Sequence, residues 1–452
     1  MAWSESRIGE SSNGRTAVSD TANLGSNPSS PANTEKAPRK RGFFLLASGA
    51  PARDDDRRAL QLQRMVELSI PETFQSRPYA RAHYSRIARW ALAQHPFYRQ
   101  LVTDPGQPFP IITRSMVQGA NALLLNGHAA TGRTSGSTST PVEISWSPQR
   151  TRLEAQDTAL FVRWLGGPLP NMRIVSLVSH KEDPKTLDVS AAIPEQIDFM
   201  LRRHRIDGAC ALVTYPTNLE MLCRHVIEEG LDFSFMRRII CMSEMYEPYH
   251  DELIAKAFPN AVASCTYSSV EAGLIASRCP YRPANYHIMA HKLGVEFLDD
   301  EGRPCRDGEL GQVVVTDYGN RRSTLIRYAL GDIAAPTVCD CGRISLPAMT
   351  RLIGKIRGVL KDSAGRPVMF TDLSVLFRDS PEISQFQVVQ TGLGQFVIRY
   401  VPRDGAGIEP FLARVETRFR AEFGSDSLVR FEPMAEIPRS AGGKFHGAIC
   451  LA

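Results

Sequence analysis

"GACALVTYPTNLEMLCRHVIEEG", Gly208 to Gly230, decides the fold class. Its first half is a short apolar run between a glycine and a proline, the texture of a buried strand. Its second half reads as a helix that stops at Gly230. The same couplet recurs on both sides. Upstream, "MRIVSLVS" (Met172–Ser179) is an apolar, β-branched strand, and "EQIDFMLRRHRID" (Glu195–Asp207) is an amphipathic helix. Downstream come a strand in "MRRIICMSE" (Met236–Glu244), a helix in "PYHDELIAKAFPN" (Pro248–Asn260) and a strand in "AVASCTYSS" (Ala261–Ser269). Strands alternating with helices predict an α/β domain on a mainly parallel sheet. Ligands of such sheets bind beyond the carboxyl ends of the strands.

The texture changes along the chain. Residues 54–100 are helical in pattern. Ile87, Trp90, Ala91 and Leu92 fall at helical spacing, and the pattern breaks at Pro96. In "FPIITRSMV" (Phe109–Val117), Thr113 is placed to cap a helix start. "PVEISWS" (Pro141–Ser147) alternates like a strand. From about Lys292 the sequence turns to β, with "DDEG" and "RDGE" as turn signals. A hairpin (Glu382–Pro402), a helix (Ile408–Gly424) and a strand (Leu428–Met434) then suggest a small α+β unit of about a hundred residues. The expected organisation is a disordered segment over 1–56, a large domain over 57–354 and a small mobile lid domain over 355–452. The glycines from Gly354 to Gly358 form its hinge.

Bulk properties narrow the function classes. Of 452 residues, 43% are hydrophobic and 22% charged, which is globular composition. A formal net charge of +5, from 53 basic and 48 acidic residues, gives no case for a nucleic-acid partner. No apolar run approaches the roughly 18 residues of a membrane span. Nine cysteines without a dense framework suggest a reducing, cytoplasmic setting with free thiols or a metal site.

Six stretches stand in order: "TSGSTSTP" (Thr134–Pro141), "MSE" (Met242–Glu244), "YSSVEAG" (Tyr267–Gly273), "LIRYALGD" (Leu325–Asp332), "RLIGK" (Arg351–Lys355) and "IPRSAGGK" (Ile437–Lys444). Together they resemble the adenylate-forming superfamily of acyl-CoA synthetases, peptide-synthetase adenylation domains and luciferases. "HPFYRQL" near the start and "CDCGR" at Cys339 bring the resemblance nearest to the phenylacetate–CoA ligase branch. It implies ATP-dependent activation of a carboxylic acid as acyl-AMP, with release of pyrophosphate. Transfer would follow to CoA, a carrier thiol or an amine. Aromatic, aliphatic and amino acids all stay open as substrates, and so does a homodimer. Positive charge and close hydrogen-bond donors suit such a reaction, because its transition state spreads negative charge over phosphate oxygens.

The resemblance also assigns residues. Thr134, Ser135, Gly136, Ser137 and Thr138 would cradle the β- and γ-phosphates, as a loop of small hydroxyl side chains can. Glu271 would hold Mg²⁺, a hard cation that takes oxygen ligands. Tyr267 would pack on adenine beside Ser268, Asp332 would bind the ribose hydroxyls, and Lys355 would help. Lys444 would swing in to bridge the carboxylate and the α-phosphate. The acid would lie near Val213 to Thr217, Met242, and Ser264 to Tyr267. The chain departs from the family pattern at Ser139, Thr140, Ser268, Val270 and Lys355. Thr140 stands where a lysine is usual, and Lys355 where an arginine is. These changes also fit a nucleotide- or acyl-binding protein without turnover. Cys279, His287, Cys339 and Cys341, spaced C-x₇-H and C-x-C, suit a structural Zn²⁺. Related ligases of the branch carry a similar pattern.

Overall fold

The computed structural model describes residues 64, 66–102, 109–134, 141–164, 173–178, 183–355, 360–368, 373, 376–377, 380–403, 407–438 and 447–451. The expected disordered segment, residues 1–56, lies outside them. Helices lead, with α1 (Pro78–Gln94) and α2 (Arg114–Gly119). A short ribbon follows, β1 (Gly132–Arg133) with β2 (Glu143–Ile144), and then α3 (Pro148–Trp164). The expected alternation comes next: β3 (Arg173–Leu177), β4 (Thr186–Leu187), α4 (Ile193–Asp207), β5 (Ala209–Thr214), α5 (Pro216–Glu228), β6 (Arg238–Met242), α6 (Pro248–Ala257) and β7 (Val262–Ser269). The chain then turns to strands: β8 (Gly273–Arg278), β9 (Asn285–Ile288), β10 (Leu293–Leu298), β11 (Gly311–Asp317), β12 (Tyr328–Thr337) and β13 (Ala348–Lys355).

All the strands from β3 to β13 join one sheet, in the order β10-β11-β12-β13-β9-β8-β7-β6-β5-β3-β4. From β4 to β7 the neighbours are parallel. From β7 to β10 every pairing is antiparallel. The parallel sheet and the β-textured segment, read separately from the sequence, are therefore halves of one surface. β7 is the seam between them.

Local chemistry explains the element ends. α4 carries Pro194 in its first turn and stops at Gly208. That glycine has φ +69°, and its N–H reaches the carbonyls of Arg203 and His204. Thr113 caps α2 as expected, accepting from the Met116 N–H at 3.4 Å. The strand expected over Pro141–Ser147 is shorter, because side chains take its later backbone groups. Ser323 Oγ accepts from the Ser145 N–H at 2.9 Å, and Asn320 Nδ2 donates to the Ser145 carbonyl at 3.1 Å.

A second, smaller sheet forms beyond the ribbon of β14 (Leu360–Lys361) and β15 (Pro367–Val368). It comprises β16 (Ile383–Gly392), β17 (Gln395–Pro402), β18 (Leu428–Pro433) and β19 (Ala448–Cys450), in the order β18-β17-β16-β19, and α7 (Glu409–Phe423) packs on it. Phe411, Val415, Phe419 and Phe423 recur every four residues along α7, and all are buried against Phe396, Ile398 and Phe377. Each such side chain stabilises by about 1.5–3 kcal/mol on burial. This core is separate from the large-sheet core. Among the described residues, no helix is long and apolar enough to cross a membrane.

Candidate active site

β7 and β8 form a hairpin at the seam of the large sheet, and its tip carries Glu271. The tip is closed by Ser269, whose Oγ accepts from the Ala272 N–H at 3.0 Å. Gly273 leaves the tip at φ +65°, and a Cβ there would fall 2.5 Å from Glu154 Oε2. Glu271 is buried, and one carboxylate oxygen accepts twice. Arg114 Nη1 donates at 3.0 Å and the Tyr328 hydroxyl at 3.2 Å.

Arg114, on α2, reaches further. Its Nη2 donates to Thr134 Oγ1 at 2.6 Å, and the same oxygen accepts from the Val142 N–H at 2.9 Å. Thr134 is the entry to the hydroxyl-rich loop, whose Ser135, Gly136, Ser137 and Thr138 lie outside the described residues. So does Lys444. On the other side of Glu271, the Tyr267 hydroxyl donates to Asp332 Oδ2 at 2.7 Å, with both side chains buried. Burial, reinforced by the Asp332 charge, holds the Tyr267 phenol well above its usual pKa. Burial does the same to Tyr328, with Glu271 adding to it. Asp332 faces Lys355 in the β12–β13 register. The fold therefore gathers Thr134, Tyr267, Ser268, Glu271 and Asp332 at one place. The sequence reading had not singled out Arg114 or Tyr328.

Behind the hairpin lies a buried ionic network. Arg150, on α3, donates to Asp317 Oδ2 at 2.6 Å, to Glu154 Oε2 at 2.7 Å and to the Ala272 carbonyl at 2.5 Å. Lys292 joins Glu154 at 2.5 Å and also pairs with Asp157. Glu154 Oε1 accepts from the Leu274 N–H at 2.7 Å. Burial pushes the Glu154 pKa up, but Lys292 and Arg150 together outweigh it, so the carboxyl ionises below its usual range. These contacts pin the backbone on both sides of Gly273. They fix where Glu271 stands.

At the carboxyl ends of β5 and β6, Val189, Tyr215 and Met242 bury together with Val178 and Val213, apart from the main core. This cluster occupies part of the region expected to receive the acid.

The sulfur–nitrogen cluster also assembles. The ligand atoms of Cys279, His287, Cys339 and Cys341 all lie within 4.8 Å of one another. Around a tetrahedral zinc with bonds of about 2.3 Å, sulfur ligands stand roughly 3.8 Å apart. Cys339 and Cys279 are 3.8 Å apart. His287 Nδ1 lies 3.2 Å from the Leu346 carbonyl, which fixes Nδ1–H as the donor and leaves Nε2 bare, 3.6 Å from Cys341 Sγ. Burial lowers the His287 pKa, which favours the neutral, ligating imidazole. The donor set fits zinc.

Solved structures share this architecture. A 2-hydroxyisobutyryl-CoA ligase in its postadenylation state, bound to an acyl-AMP, matches at TM-score 0.67 with 14% identity, over 84% of this chain and 90% of that one. This chain has the adenylate-forming ligase fold. Within that fold, an open conformation of the same ligase with acyl-AMP and CoA matches at 0.54, with 15% identity over 84% and 92% of the two chains. An anthranilate CoA ligase bound to anthranoyl-AMP matches at 0.51, with 16% identity over 70% of this chain and 65% of that one. No protein-family model matches the sequence, and no curated protein does.

Proposed function

We propose that this protein activates a carboxylic acid with ATP and passes the acyl group to a thiol, with CoA as the acceptor. One observation carries the reading. Thr134 and Asp332, far from the Tyr267–Glu271 segment in sequence, meet it around one hairpin of an adenylate-forming fold. In the first step a carboxylate oxygen attacks the α-phosphorus, the bond to the bridging oxygen breaks, and pyrophosphate leaves. In the second, the thiol sulfur attacks the acyl carbon, AMP leaves with the bonding electrons, and the thiol proton goes to solvent.

Each residue then has a task. The hydroxyls from Thr134 to Thr138 hold the departing phosphates. Asp332 binds the ribose, and Tyr267 orients that carboxylate through its hydroxyl. Glu271 would hold Mg²⁺, which offsets phosphate charge as pyrophosphate leaves. Lys444 supplies the second cation from the small domain. We read residues 57–354 as the large domain and 355–452 as the moving one. The motifs "HPFYRQL" and "CDCGR" favour the phenylacetate–CoA ligase branch. The apolar cluster of Val189, Tyr215 and Met242 supports an acid with an apolar body.

The test is carboxylate-dependent exchange of labelled pyrophosphate into ATP across a panel of acids. Exchange that Lys444→Ala abolishes is expected. Folded protein that binds ATP but catalyses no exchange would establish the non-turnover reading instead. Zinc at Cys279, His287, Cys339 and Cys341 is tested by metal analysis of the purified protein. One zinc per chain is expected, and Cys341→Ser should lose it.

A further inference from the structure

ATP carries its largest charge density on the β- and γ-phosphates, yet the hydroxyl loop assigned to them contains no basic residue from Thr134 to Thr140. Hydroxyls and backbone N–H groups can orient a polyphosphate, but a leaving pyrophosphate also needs positive charge close by. Arg114 stands at the root of that loop. Its two terminal nitrogens divide between Thr134 Oγ1, at 2.6 Å, and Glu271 Oε1, at 3.0 Å. Its side chain is 26% exposed, against 7% for that of Glu271, so the guanidinium stays open to solvent.

The arginine is also held in place. Thr113 caps the helix that begins with it. The residue before that cap is tied to β12 from both sides. The Ile112 N–H donates to the Arg327 carbonyl at 2.9 Å, and the Ala329 N–H donates to the Ile112 carbonyl at 2.9 Å. A planar fork mounted on a fixed backbone, bonded to Thr134, is the geometry for bidentate phosphate binding.

We propose that Arg114 binds the β- and γ-phosphates, supplying the positive charge that the loop lacks. This rests on reading the cleft as an ATP site. In this structure the guanidinium pairs with Glu271. When nucleotide enters, it turns to the phosphates and gives up that carboxylate. Thr134 belongs to both arrangements, so the swing is short.

Calorimetry on the full chain at fixed magnesium tests this with three probes: ATP, pyrophosphate and AMP. Arg114→Ala should weaken ATP and pyrophosphate binding about 10–100-fold, the range for charge-assisted hydrogen bonds, while AMP affinity stays within about twofold. Arg114→Lys should recover part of the loss, and Arg114→Gln, which keeps donors without charge, should not. Melting curves confirm that each variant is folded; if Arg114→Ala is not, the lysine and glutamine variants carry the comparison. Equal weakening of ATP and AMP would make Arg114 a merely structural residue and overturn the proposal. So would unchanged ATP binding. Wild-type protein that binds neither ATP nor AMP would overturn the nucleotide reading itself, a result distinct from either.

Discussion

Two charged clusters contact the Glu271 hairpin, one at Ala272 and Leu274 and one at Glu271 itself, and they are built differently. In the network behind it, the side chains of Arg150, Lys292, Asp157 and Asp317 are at most 1% exposed, and each is committed to protein partners. At Glu271, Arg114 is partly exposed, and the groups near it come from distant segments. Charges wholly satisfied by protein hold a backbone still. Charges satisfied provisionally wait for a substrate. The hairpin between them transmits the rigidity of the first to the second.

The strongest way to break this contrast is to remove a charge from each side. Lys292→Met leaves Glu154 and Asp157 without their shared cation, and should cost about 3–5 kcal/mol in denaturant unfolding. Glu271→Gln removes a cleft charge. It should change stability by about 1 kcal/mol or less, because amide hydrogen bonds to Arg114 and Tyr328 can persist, yet it should abolish pyrophosphate exchange. If the glutamine variant unfolds as readily as the methionine variant, the cleft is scaffold too.

Acid sharpens the same contrast. Glu154 is ionised below its usual range in the folded chain, despite burial, because Lys292 and Arg150 prevail. A carboxylate with a depressed folded pKa gives stability that is complete above its unfolded pKa of 4.5 and is lost as pH falls through the lower folded value. Glu154→Gln should therefore cost about 1.5–3 kcal/mol at neutral pH. Its stability should converge toward that of wild type below pH 4.5. A difference that stays constant with pH would remove ionisation from the account.

The two regions differ in how far the sequence announces them. The couplet at Gly208–Gly230 is visible because strand and helix periods are local, and it forms as β5 and α5. Glu271, Tyr267 and Asp332 fall in contiguous stretches, so the resemblance that points to them is legible locally. The cysteine–histidine set was found by spacing. The junction of the parallel and antiparallel halves was hidden. The change of direction itself is the local β7–β8 hairpin, but the seating of β10 to β13 in the same sheet depends on β9 pairing with β13, Tyr286 opposite Met349, and such long-range register leaves no local trace. Arg114 was hidden for the same reason: 157 residues separate it from Glu271, and an arginine at a helix start usually faces solvent. No local pattern marks Arg150 or Lys292 for burial, and the fold buries both.

The junction of the two regions can be tested at Gly273. Its φ of +65° suits glycine, and a Cβ would fall 2.5 Å from Glu154 Oε2 and 2.9 Å from Arg150 Nη2. Gly273→Ala should cost about 1–3 kcal/mol through backbone strain and displaced partners. It should also raise the magnesium concentration needed for half-maximal exchange, because Glu271 moves with the hairpin. Lost stability with an unchanged magnesium requirement would show that the two clusters are not coupled through this turn.

The smallest effect is expected at Tyr328, and it separates the two kinds of charge most finely. Tyr328 is fully buried, but its hydroxyl donates to Glu271, a cleft carboxylate, at 3.2 Å. Tyr328→Phe removes one oxygen and keeps the ring in the core. If Glu271 is held provisionally, Arg114 still satisfies the carboxylate, and unfolding should shift by only about 0.5–1.5 kcal/mol. The magnesium requirement should rise modestly, because the carboxylate loses one of two groups that aim it. A loss of the size expected for Lys292→Met would mean that Glu271 depends on Tyr328 as the buried network depends on its lysine. The hairpin would then carry one continuous scaffold, with no boundary between charges that support and charges that bind.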